Sequence, residues 1–111
     1  FHLGKGLFMS RHSETLVLRI YVNGTKAEHR VAAESVRELL EYNFPERFDL
    51  QVIDIMTDPD ALEEDDVLAT PTLVRREPDP RTKIVGDFSD EATVLRVVHP
   101  AFGKVDANAI P

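Results

Sequence analysis

The sequence predicts an α/β domain in which a mixed four-stranded sheet carries helices on both faces, in the order β-α-β-α-β-β-α. Three observations predict it. A branched and aromatic run over residues 16–22 ends at an Asn-Gly turn. A helical apolar period follows and stops at a proline, before a second apolar strand. Two further short strands then flank a proline-rich turn and lead into a last helical period. A chain of 111 residues fits one such domain, and at 42% hydrophobic and 30% charged its composition is that of an ordinary globular protein. Residues 15–100 are expected to form it. Residues 1–14 are expected as an N-terminal extension or expression remnant, with Met9 as the natural start, and residues 101–111 as a C-terminal tail.

Leu16-Val17-Leu18-Arg19-Ile20-Tyr21-Val22 reads as a buried first strand, closed by Asn23-Gly24. From Ala27 to Phe44, apolar Val31, Ala32, Val36, Leu39, Leu40 and Phe44 recur at helical spacing, and Pro45 ends the helix. Glu34, Arg37, Glu38 and Glu41 lie largely off that stripe. Phe48 to Ile55 is apolar on both faces, which predicts a central strand parallel to the first through a right-handed crossover. Thr57-Asp58-Pro59 has a helix-start pattern, and a short helix is expected from Pro59 to about Asp65. The third strand should begin after Pro71, since proline has no amide hydrogen to donate. Arg75 to Arg81 reads as a turn built on Pro78 and Pro80, with Lys83-Ile84-Val85 returning antiparallel and Gly86-Asp87 closing the strand. Ser89 is the expected cap of the last helix, whose apolar positions are Val94, Leu95, Val97 and Val98 before Pro100. This order is that of thioredoxin-like folds. A proline just before the third strand of such folds is commonly cis.

Composition excludes much chemistry. With no cysteine, disulfides, thiolate metal sites and dithiol redox catalysis are absent. The net charge of −7 disfavours nucleic acid and anionic membranes as partners, and no apolar run is long enough to span a bilayer. The cytoplasm is the expected location. The acidic run from Asp58 to Asp66 contains a proline and lacks the glycine of a calcium loop, so it reads as a solvated helix or a partner-facing patch. His2, His12, His29 and His99 are scattered, none at zinc-site spacing, and His29 and His99 read as exposed or capping residues. No nucleophile elbow or phosphate loop occurs, and Ser35 and Ser89 read as structural. No catalytic residue, metal or cofactor is therefore expected. The candidate partner-binding residues are Asp58, Glu63, Glu64 and Asp66, with Arg75, Arg76 and Arg81 on the adjoining turn, where mixed charge sets partner choice.

Several of these segments resemble the KaiB family of circadian clock proteins. They are Leu16 to Gly24, Leu50 to Ile55, Asp58-Pro59 through Glu63-Glu64-Asp65 to Leu68-Ala69-Thr70-Pro71-Thr72-Leu73, and then Pro78-Asp79-Pro80 and Lys83 to Asp90. The resemblance spans about Leu16 to Val98 without gaps. It implies a noncatalytic protein that binds the ATPase ring of KaiC, or a KaiC-like ATPase, or a histidine kinase-type signalling protein. It also implies fold switching between a thioredoxin-like state and a ground-state tetramer, hence a homo-oligomer, dimer or tetramer. The N-terminal domain of SasA kinases is similar and stays thioredoxin-like. A thioredoxin-fold enzyme, or a sensor domain unrelated to a clock, is the alternative reading.

The chain departs from the family pattern in places. It has Thr25-Lys26-Ala27 where Asn-Thr-Pro is usual, and Gln51 and Asp66 at positions whose basic residues are associated with KaiC binding. Val97 and His99 stand where glycine and aspartate are typical. Glycine costs a helix about 0.8–1.0 kcal/mol relative to alanine, and aspartate at a helix C-terminus opposes the dipole. The thioredoxin-like form is therefore expected as the resting state. Pro71, Pro78, Pro80, Gly86, Asp87, Val97 and His99 are the expected fold-determining residues.

Overall fold

In a computed structural model, the structure describes residues 15–86 and 88–99. The expected extension, the tail and Asp87 lie outside the described residues. Strands β1 (Leu16–Val22), β2 (Phe48–Asp54), β3 (Thr72–Glu77) and β4 (Thr82–Val85) form one sheet in the order β2-β1-β3-β4. Helices α1 (Ala27–Asn43), α2 (Ala61–Glu64) and α3 (Glu91–Val98) connect or follow them. The β1–β2 pair is parallel, as a crossover through α1 requires, and β1–β3 and β3–β4 are antiparallel. The element order and the mixed sheet are those expected from the sequence.

Alternation along β1 sorts the two faces. Leu16, Leu18, Ile20 and Val22 join Leu50 and Leu73 beneath α1 and α3, packed by Ala32, Val36, Leu40, Phe44, Val94 and Val98. On the other face Tyr21, Ile53 and Val74 meet Ala61 and Val67, and among the described residues α2 and its flanking loops lie above them. The β1–β3 register shifts between Val17 and Leu18, an extra β3 residue that bends the strand end.

Asp54 ties the ends of the parallel pair together. Its Oδ1 accepts from the Gly24 and Met56 amides, each at 3.0 Å, and these two bonds hold the carboxyl below the usual aspartate range. A Cβ on residue 24 would collide with that carboxylate and push it off its two amide bonds, which favours glycine there.

Several expectations are corrected. β2 is an edge strand, not a central one, and Val52 is exposed. Apolar residues on both of its faces arise because α1 and the α2 region each cover part of it. β3 runs through Arg75, Arg76 and Glu77, so the turn is confined to 78–81. α2 is a single turn, and the side chain of its N-cap Asp60 makes no capping bond. The cap of α3 is Asp90, not Ser89: its carboxylate accepts from the Thr93 amide and hydroxyl, which lowers its pKa. Val31 is 63% exposed, because the buried stripe of α1 runs through His29, Ala32, Ala33, Val36 and Leu40. His29 is buried, with Nδ1 accepting from the Asn23 amide at 3.0 Å. The Thr70–Pro71, Glu77–Pro78 and Asp79–Pro80 bonds are cis, and Gly86 has φ +140°, a backbone state that favours glycine.

Candidate functional site

The thinly covered face of the sheet gathers charge around one carboxylate. Asp65 follows α2, four residues after buried Ala61, and that spacing turns both toward the sheet. Its side chain is fully buried. Oδ2 accepts from the Tyr21 hydroxyl at 2.6 Å, while Oδ1 lies 3.0 Å from Arg81 Nη1 and 3.3 Å from Arg76 Nε. Arg19 Nη1 stands 3.5 Å from Oδ2 and donates to Glu64 Oε1 at 2.7 Å and to Tyr21 Oη at 3.0 Å.

The elements explain the meeting. Arg19 and Tyr21 occupy alternate β1 positions opposite the buried set, and Arg76 shares the Thr72–Val74 face of β3. Arg81 and Lys83 come from the returning hairpin arm. Each also donates to a main-chain carbonyl of the α2 segment, Glu64 at 3.2 Å and Asp66 at 2.8 Å respectively. Hydrogen bonding to Glu64 is the largest effect holding the Arg19 guanidinium above its ordinary value. Tyr21 is raised chiefly by burial and then by its bond to Asp65.

Three arginines thus meet two carboxylates, Glu64 and Asp65, and Lys83 holds the neighbouring Asp66 carbonyl, in a chain whose net charge is −7. Arg76 Nε and Asp65 Oδ1 face each other without a well-aligned hydrogen bond, so the contact is an ion pair and not a bidentate one. Such a surface can recognise opposite charge and set orientation. Among the described residues no group of three His, Asp or Glu could hold a metal ion.

The sequence-derived candidates divide. Glu64, Arg76 and Arg81 come together here. Asp58 and Glu63 are exposed beside them, and exposed Asp66 contributes its carbonyl at φ +57°. Arg75 does not belong to this surface. It is 3% exposed, on the opposite face, and donates to the carbonyls of Pro78, Pro80 and Val97 and to the Thr82 hydroxyl. Burial lowers its pKa. His99 closes α3, its amide bonded to Leu95 and its ring stacked on Phe44 at 5.5 Å. Asp65, Arg19, Tyr21 and Lys83 were not among the sequence candidates. Period-two alternation in β1 and the four-residue step from Ala61 were the signals available.

A family model described as "KaiB domain" matches residues 19–100. The chain is 42% identical over 87 residues to "Circadian clock oscillator protein KaiB" of Trichodesmium erythraeum, covering 78% of this chain and 84% of that one. It is 41% identical to the protein of the same description from Microcystis aeruginosa, with the same coverage. Among solved structures it is similar to the N-terminal domain of Synechococcus elongatus SasA, with TM-score 0.61, 28% identity, and 75% of this chain and 81% of that one covered. Mitochondrial thioredoxin 3 of Saccharomyces cerevisiae superposes with TM-score 0.62 at 15% identity, over 83% and 86% of the two chains, which shows the shared fold.

Proposed function

The chain belongs to the KaiB family, and from that premise we propose that it is a noncatalytic clock or signalling component that binds a KaiC-like ATPase, or a histidine kinase-type partner, through the thinly covered face of its sheet. The observation that carries the reading is the mixed-charge surface on that face, where Arg19, Arg76 and Arg81 pair with Glu64 and Asp65 and Lys83 donates to the Asp66 carbonyl. Mixed-charge patches steer encounter and reject wrong partners more than they add affinity. Family membership supplies the clock role, and the likeness to a SasA domain supports the thioredoxin-like form as the one that binds. The chain acts as a binding protein in the cytoplasm, with the thioredoxin-like form at rest. No described helix is long and apolar enough to cross a membrane.

Size-exclusion chromatography with a KaiC-like ATPase, or the sensor region of a kinase, from the same genome tests the reading, with and without ATP. Co-elution that is lost in K83E, a reversal at an exposed side chain of the same face, is expected. Co-elution unaffected by that reversal would place the contact elsewhere. No complex with either class would remove the proposal.

A further inference from the structure

The turn that closes β1 places two mutually reactive groups in sequence. Of the three asparagines, Asn23, Asn43 and Asn108, only Asn23 is followed by glycine. A glycine has no Cβ to shield its main-chain nitrogen, which can then attack the preceding asparagine's side-chain carbonyl. Asn23 and Gly24 are half-buried, so water reaches both.

The fold occupies each reacting group. The nucleophile is Gly24 N, and its hydrogen is given to Asp54 Oδ1 at 3.0 Å. That nitrogen attacks only after losing the hydrogen, and a neighbouring carboxylate both holds the hydrogen and repels the negative charge its loss would leave. The electrophile is Asn23 Cγ, whose Oδ1 accepts from the Thr25 amide at 3.0 Å and the Thr25 hydroxyl at 2.6 Å. These two bonds fix the side chain on residue 25. The main chain is pinned too: the Asn23 amide donates to His29 Nδ1, and the Asn23 carbonyl accepts from the Lys26 amide, both at 3.0 Å. Arg30 Nη1 donates to the Gly24 carbonyl at 2.6 Å.

We infer that Asn23-Gly24 is a site of spontaneous deamidation that the fold keeps latched, with Asp54 as the latch. When Asp54 lets go, Gly24 N bonds to Asn23 Cγ and the Cγ–Nδ2 bond breaks. Nδ2 leaves as ammonia, taking the hydrogen that Gly24 N gave up. The cyclic imide then adds a water at either carbonyl and opens to aspartate or isoaspartate at position 23. Nothing is oxidised or reduced: water enters and ammonia leaves. The product carries a carboxylate one residue from the amide that Asp54 holds, and isoaspartate also lengthens the main chain by a carbon atom. Like charge and altered spacing oppose re-closure. The start of α1, which is tied to the Asn23 and Gly24 carbonyls, loosens with the turn.

The test is incubation of the full chain at neutral pH, with mass-spectrometric mapping of the tryptic peptide Ile20–Lys26 and isoaspartyl methyltransferase labelling. The acetylated peptide of the same residues is the unlatched reference. The folded chain should deamidate at Asn23 about ten- to a hundredfold more slowly than the peptide, the protection that one bond to a charged group supplies. D54A should lose most of that protection while Asn43, inside α1, stays unmodified. D54N keeps an acceptor of the same shape without its charge and should react at a rate between those of the parent and the peptide, which decides the matter if D54A fails to fold. Deamidated chain, separated by ion exchange, should exchange its Gly24 and Lys26 amides faster than the parent. A folded parent that reacts as fast as the peptide, a folded D54A or D54N as slow as the parent, or unchanged exchange at Gly24 and Lys26 would each overturn the assignment.

Discussion

One face of the sheet is held by an extended apolar core, and the other joins a small apolar cluster to an ionic one. Beneath α1 and α3, apolar residues from three strands and two helices share the burial, so each contributes a modest, replaceable part. On the α2 face the buried Asp65 carboxylate meets cations from β1, β3 and the hairpin arm, with exposed Glu64 sharing the first of them. A distributed apolar core degrades in steps. An ionic hub fails at its centre, because removing one partner leaves buried charge without compensation.

The comparison is broken most directly by Asp65→Ala set against Leu40→Ala. Removing the carboxylate is expected to cost about 3–5 kcal/mol, since Arg76 and Arg81 lose the carboxylate that each meets among the described residues. Leu40→Ala, in the distributed core, is expected to cost about 2–5 kcal/mol. Urea denaturation measures both. The contrast sharpens in the triple variant D65L/R76M/R81M, which should recover most of the loss, because well-packed apolar side chains replace buried ion pairs without penalty. No recovery would mean that Asp65 acts through shape and not charge.

Next in size is Tyr21→Phe, which leaves Asp65 Oδ2 without its hydroxyl donor and should cost about 1–3 kcal/mol at neutral pH. The Tyr21 pKa is raised, so the neutral phenol is the form the fold favours. Its contribution is complete below the ordinary tyrosine value of about 10 and drains away as pH rises through the folded value. Stability of Y21F should therefore fall less steeply in alkali than that of the parent. An identical alkaline slope would show that the phenol does not report on this face.

The smallest effect belongs to the helix face. Asp90 has a depressed pKa from its Thr93 contacts, so the ionised cap stabilises above the ordinary aspartate value of about 4 and is lost as pH falls through the lower, folded one. Asp90→Ala should lower the thermal midpoint at neutral pH and flatten the acid limb of its pH profile. An acid limb as steep as the parent's would assign that limb to Asp54 and other carboxylates.

Much of the covered face was legible. β1 falls where its branched run predicts, β3 begins at the residue after Pro71, and the apolar positions of α3 that lie inward are Val94, Leu95 and Val98. The misreadings share a cause. Arg75 and Arg76 are polar and precede two prolines, so local chemistry reads them as turn, whereas pairing with β1 carries the strand through them. Asp65 is one acid in an acidic run, and nothing local separates it from Glu63 or Asp66. Its burial depends on Tyr21 and Arg81, 44 and 16 residues away in sequence. Edge and centre were likewise confused for β2, because composition records which faces are covered and not which edges are paired. In the candidate site the charge content was visible and the hub was not.

Arg75 has its own consequence. A planar group with five donors serves the loop after β3, the first residue of β4 and the final turn of α3 at once, a set that a lysine ammonium on a flexible stem could not span. Hairpin tip and C-terminal helix are leashed to the same atom group. If that leash slips, they come loose in a single event, and amide exchange in the two places should share one opening free energy.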